Sequence, residues 1–232
     1  MIDRIHPIYQ MKTLVEHKFS DFYKKWMAQL EDLLELLLVA VKEPPQEPGC
    51  AVAAISKVTA HHKEYYKFKW AAAHDDVLAF FSGPVWLSPL ETAHLWITGW
   101  KPSAAFRLLR AACGGAVTEE QVRKIELLRV RMKAEEERVE REMERLQVAV
   151  ADRNAVEMVR GKAAAAAAVG GFLGGLERVM KMADCVRLRT LKGLLEILSP
   201  MQSVHFLATN SLFQIRVRKF GMNIIETTNL AS

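Results

Sequence analysis

The chain has 232 residues, half of them hydrophobic and a quarter charged, with a net charge of +5. That balance fits one large packed domain or two small ones and argues against a disordered chain. Three separated cysteines (Cys50, Cys113 and Cys185), with no C-x-x-C pair, argue against a zinc or redox motif and a disulfide framework, so reduced thiols in the nucleus or cytoplasm are expected.

The opening MIDRIHPIYQ lacks the apolar stretch of a signal peptide, and residues 1–10 read as a tail. Phe19, Phe22, Tyr23, Trp26, Leu30, Leu34, Leu37 and Val41 recur at helical steps and predict a first long helix with one apolar face. Pro44, Pro45, Pro48 and Gly49 predict a loop at 43–50, because proline lacks an amide and restricts its predecessor. A second helix is expected from about Ala51 to Phe81, where Ser82-Gly83-Pro84 ends it.

Ser88-Pro89-Leu90-Glu91 has the form of a capping box with proline at the first helical position, and Thr118-Glu119-Glu120-Gln121 repeats the device after Gly114-Gly115. From Glu119 to Val150 a highly charged helix carries a narrow stripe of Ile125, Leu128, Met132, Val139, Met143, Leu146 and Val150. Glu135 would fall on a heptad seam, which favours a solvated outer helix over an intermolecular coil. The Ala163–Ala168 run with Gly170, Gly171, Gly174 and Gly175 predicts a loop or frayed junction at 161–175, since each glycine costs a helix about 1 kcal/mol. It is also too short and glycine-rich to span a bilayer. Two more helices, Leu176–Leu198 and Gln202–Phe220, are split by Ser199-Pro200, and residues 222–232 read as a second tail. No strand alternation appears. The expected class is all-α: a single bundle of long antiparallel helices over 11–221.

Catalytic patterns are missing. There is no G-x-S-x-G elbow, and Cys113 sits at a helix end whose dipole opposes a thiolate. No histidines stand four apart, His61 and His62 are adjacent, and His74-Asp75-Asp76 are again sequence neighbours, so no metal site is expected. The glycine pairs lack the Lys-Ser or Lys-Thr of a phosphate loop. No enzyme activity and no cofactor are expected; a lone histidine leaves haem ligation open, with no motif in its favour.

Binding is the better reading. Tryptophans are most often core residues, and any left exposed mark partner surfaces; Trp86, Trp96, Trp100 and Arg107 are the candidate partner-binding residues. Between Arg153 and Lys219 there are eleven Lys or Arg against four Asp or Glu. Arg187, Arg189, Lys192, Arg216, Arg218 and Lys219 form the candidate basic surface. Arg187 and Arg189, two apart, cannot share one helix face, and no dense basic run accompanies them.

Several segments together resemble the plant Delay-of-Germination domain: F-x-x-F-Y-x-x-W-x-x-Q-L-E at Phe19–Glu31, H-x-x-Y-Y at His62–Tyr66, W-L-S-P-L-E at Trp86–Glu91 and W-I-T-G-W-K-P-S at Trp96–Ser103. R-L-R-T-L at Arg187–Leu191, E-I-L-S-P-M-Q at Glu196–Gln202 and R-V-R-K-F-G at Arg216–Gly221 continue the pattern. The family includes seed-dormancy regulators, TGA basic-zipper transcription factors and inaperturate-pollen proteins. The resemblance implies a helical regulatory module that binds proteins, phosphatases in abscisic-acid signalling or other developmental regulators among them. It carries over no catalytic residues, and without a zipper it does not carry over direct DNA binding. The dormancy and pollen-aperture branches both stay open, the latter with peripheral plasma-membrane association. Self-association and a nucleic-acid-contacting transcriptional regulator stay open too.

Overall fold

A computed structural model describes residues 13–42, 48–151 and 162–230, with side chains to residue 224. Among the described residues eight helices follow in order: α1 Leu14–Lys42, α2 Pro48–Asp75, α3 Leu78–Phe81, α4 Pro89–Ala93, α5 Ser103–Cys113, α6 Glu119–Ala149, α7 Lys162–Ile197 and α8 Pro200–Leu230. The described residues contain no strand, only an isolated bridge between Trp96 and Gly99. The class is all-α, as the periodicity implied.

The helices form where one face can be buried. On α1, Phe19, Tyr23, Trp26, Leu30, Leu34 and Leu37 are buried at steps of three and four. Phe19 is the hub of the aromatic core, with Phe80 at 4.8 Å edge-on and Trp86 at 4.5 Å. α8 packs against α1, α2, α4 and α5, while α6 pairs chiefly with α7. Both expected capping boxes are present: Ser88 with Glu91 starts α4, and Thr118 with Gln121 starts α6.

Four boundaries differ from expectation. Pro48 and Gly49 open α2 instead of closing a loop, with proline in a first turn where its missing amide costs nothing; residues 43–47 lie outside the described residues, as do 1–12. α2 stops at Asp75, and a separate short helix follows at Leu78–Phe81, where the Asp76 carboxylate accepts from the Ala79 amide at 3.3 Å. Residues 162–175 are helical, not a junction. Tertiary packing overrides the glycine cost, since Gly175 gives Leu146 of α6 room for close approach. The helix of α8 runs on to Leu230, so 222–230 is not a tail in backbone.

Among the described residues, α7 is the one helix long and apolar enough to cross a bilayer by length and composition. Its second half is bundle core instead, with Leu176, Val179, Met180, Ala183, Val186 and Leu194 buried. The same apolar face carries Asp184 and Arg187, both without solvent exposure.

Candidate functional site

Burying an aspartate and an arginine on an apolar helix face is costly unless every polar atom is matched. Here they are matched by a tight turn and by α2. Asp184 Oδ1 accepts from Lys69 Nζ at 2.9 Å and from Arg187 Nη1 at 2.6 Å, while its Oδ2 accepts from the Trp70 indole at 3.0 Å. Lys69 is 1% exposed and completes its donors on the Thr98 carbonyl and hydroxyl, each at 3.0 Å. Arg187 gives Nε to the Trp100 carbonyl at 2.7 Å and Nη2 to the carbonyls of Ile97, at 2.8 Å, and Trp96. Two buried cations therefore share one carboxylate, and the turn carbonyls of Trp96, Ile97, Thr98 and Trp100 supply the rest of the negative potential.

The turn has a sequence cause and a strain. Trp96 and Gly99 exchange backbone hydrogen bonds, N to O at 2.7 Å one way and 3.3 Å the other. Between them Ile97 and Thr98 sit at φ of 41° and 58°, a left-handed conformation that β-branched residues resist. Gly99 follows because a Cβ there would stand 2.8 Å from Arg187 Cζ. The carbonyls of this strained backbone point inward at the two cations, which hold it in place.

The outer edge of the turn is wired to α6. The Trp96 indole donates to Glu140 at 2.7 Å, and Lys101 Nζ donates to the same oxygen at 3.0 Å. The Arg187 guanidinium lies 5.2 Å from the centre of the Trp96 ring. Glu136, buried on α6, accepts from the Ser103 amide and so caps α5 from another helix. A second cluster holds the far side: Glu91 accepts from the Tyr23 hydroxyl at 2.8 Å and from Arg218 at 3.3 Å, and Arg218 also donates to the Trp86 carbonyl at 3.0 Å.

Protonation follows burial. Desolvation pushes Lys69 down to about 8, Asp184 opposes that and Arg187 adds to it. Burial pushes Tyr65 and Tyr66 far up, so both phenols are neutral. Burial lowers His61 to about 4 and lowers His62 as well. Burial alone would raise Glu140, yet the hydrogen bonds from Lys101 and Trp96 bring it below its ordinary range. Lys69 has its donors engaged, and Cys113, which donates to the Gln202 carbonyl at 3.6 Å, has its thiol pushed up by burial. The arrangement fixes backbone.

The expected residues divide. Trp96 and Trp100 are half-buried at the turn, and Arg107 is exposed on α5. Trp86 is not at the surface: at 7% exposure it packs on Phe19 and Phe80. Arg189, Lys192, Arg216 and Lys219 are exposed and Arg218 is half-buried. Arg187 does not belong to a basic surface, because the apolar face of α7 turns it inward. The exposed bases are partly answered by acids, with Arg189 3.0 Å from Glu135, Lys219 3.2 Å from Glu31 and Lys192 3.7 Å from Glu196. Sequence reasoning missed Lys69, Thr98, Asp184, Glu136 and Glu140. One signal was available: Asp184 and Arg187, three apart, interrupt an otherwise apolar helical stripe.

The family model described as seed dormancy control, DOG1, matches residues 33–111. Protein DOG1-like 4 of Arabidopsis thaliana is 50% identical over 222 residues, spanning 91% of this chain and 95% of that protein. The chain belongs to the DOG1 family. Protein ZW2 of the same plant is 29% identical over 226 residues, spanning 90% and 99%. Transcription factor TGA2.3 of Oryza sativa subsp. japonica is 31% identical over 208 residues, 86% of this chain but 62% of that protein. The chain thus spans under two thirds of this transcription factor. Kinship with DOG1-like proteins and TGA transcription factors assigns this DOG1-family chain a plant regulatory role.

Proposed function

We propose that this DOG1-family chain is a non-enzymatic regulator of plant development that acts by binding other proteins, and that the turn Trp96–Lys101 with neighbouring Arg107 is its contact surface. One observation carries the reading. The fold commits a fully buried Lys69–Asp184–Arg187 cluster to holding a strained turn whose two tryptophans stay half-exposed. Strain and buried charge kept at one place suit a pre-organised recognition edge, since rigid aromatic anchors lose little entropy on binding.

The partners this reading favours are phosphatases of abscisic-acid signalling or developmental regulators such as those that set pollen apertures, in the nucleus or the cytoplasm, with the TGA kinship supporting the nucleus. Affinity purification from seed and anther tissue, with wild type beside Trp96→Ala and Arg107→Glu, tests it. Phosphatases recovered from seed by wild type alone support the dormancy branch, and an aperture-domain partner from anthers supports the pollen branch. Equal recovery by all three proteins removes the turn from the account. Binding of unrelated duplex DNA with a steep salt slope would favour nucleic-acid contact instead.

A further inference from the structure

The face of α6 that carries Met132, Glu136 and Val139 is buried against the bundle, chiefly on α7. The opposite face is solvent-exposed along Leu127, Arg131, Ala134, Arg138, Arg141, Arg145 and Val148. These positions alternate steps of four and three, the spacing of a coiled-coil contact line. Leu127, Ala134 and Val148 supply its apolar points, with Leu127 72% exposed. Arg131, Arg138 and Arg145 recur along it every seven residues.

Elsewhere on α6, bases are answered by acids three or four residues away, as in Lys124–Glu120 and Arg129–Glu126, each at 2.6 Å. Arg131, Arg138 and Arg141 have no ion pair among the described residues. Three acids one turn from them, Glu135, Glu137 and Glu142, serve Arg189, Lys133 and Arg145 instead. Arg138, Arg141 and Arg145 thus stand beside one another, and like charges at this spacing destabilise an isolated helix. Carboxylates brought from outside would relieve that repulsion.

The helix as a whole holds nine glutamates against eight lysines and arginines, a net charge of −1. DNA or an anionic membrane, drawn by long-range charge, gains nothing from that balance. The face suits a partner whose carboxylates reach the arginine row and whose apolar side chains reach Leu127. The seven-residue spacing fits a second helix. We propose that the outward face of α6 docks an acidic amphipathic helix of a partner protein. Its glutamates would stand opposite Arg131, Arg138 and Arg141, and its leucines opposite Leu127, Ala134 and Val148. This surface goes beyond the Trp96–Lys101 reading and shares no residue with it, and its test uses neither Trp96 nor Arg107.

The probe is a synthetic four-heptad peptide with leucine and glutamate in that register, labelled and titrated against the full chain by fluorescence anisotropy. Wild type should bind it at least tenfold more tightly than a peptide of the same composition in scrambled order. The triple variant Arg131→Glu, Arg138→Glu and Arg141→Glu should lose at least tenfold in affinity with an unchanged melting temperature. A peptide with lysine in place of glutamate should restore binding to that variant, because like charges across an interface are what it removes. Should the triple variant fail to fold, the milder pair Arg138→Gln and Arg141→Gln decides, with at least a threefold loss expected. Equal binding of the scrambled peptide, or an affinity unmoved by the substitutions, would overturn the proposal. So would tighter binding of phosphatidylserine vesicles or unrelated duplex DNA that the same substitutions abolish.

Discussion

Replacing Asp184 with asparagine should be the most damaging single-atom-scale change in this protein. The substitution keeps shape and leaves Lys69, 1% exposed, and Arg187, fully buried, without a counter-charge. Breaking a buried pair in this way costs about 3–5 kcal/mol, because the surviving charge stays desolvated. In a chain of this size about 1 kcal/mol shifts the melting temperature by about 2–4 °C, so a fall of roughly 6–20 °C is expected. The pH dependence separates this cause from simple packing loss. Asp184 holds the Lys69 pKa up against desolvation, and even so it stands at about 8, below its ordinary 10.5. Without Asp184 it falls further. At pH 7 wild-type Lys69 is charged and paired, and the variant must either bury a lone cation or release a proton, so the lysine's share of the deficit is present there and becomes full below the variant's own lysine pKa. Above pH 8 the folded wild type releases that proton too, and the lysine's share of the deficit disappears. Circular-dichroism melts at pH 7 and 9.5 should therefore show a smaller gap at the higher pH, with Arg187's share persisting. A deficit under about 1 kcal/mol at pH 7, or one independent of pH, would refute the reasoning.

Gly99→Ala should destabilise by about 1–3 kcal/mol in a denaturant titration, since the added methyl meets the Arg187 guanidinium at 2.8 Å. On α7, Gly174→Ala has open space and should stabilise by about 0.5–1 kcal/mol, whereas Gly175→Ala presses on Leu146 and should destabilise; melts of the two variants check the contrast. His61 and His62, both with folded pKa values below the unfolded 6.5, are neutral when folded. The unfolded chain then binds more protons, so stability should fall as pH drops from 6.5 toward 4, at about 1.4 kcal/mol per pH unit for His61. His61→Gln should flatten that slope. Glu91→Gln weakens the contacts to Tyr23 and Arg218 and should cost about 1–3 kcal/mol by the same melts.

Much of the fold was legible because its cause is local. The heptad-like burial on α1, the proline-serine break before α8 and the two capping boxes rest on neighbours within four residues. The alanine-glycine segment misled because glycine's helix cost was weighed without Leu146, a contact supplied by another helix. The site was legible only in outline. Trp96 and Trp100 stood out by type, but Lys69 meets Asp184 across 115 residues of sequence and no periodicity announces that pairing. Arg187 was read as surface since arginine usually is; the apolar stripe of α7, running through Val179, Met180, Ala183 and Leu191, held the evidence that it points inward.

The edge at Trp96–Lys101 is tested most directly by quantitative capture of proteins from seed and anther extracts on wild type and on Arg107→Glu, an exposed change that leaves the bundle intact. Wild type should retain a defined set of proteins that the variant, with an unchanged melting temperature, loses at least tenfold. Identical sets on both, or retention of nucleic acid in place of protein, would contradict it.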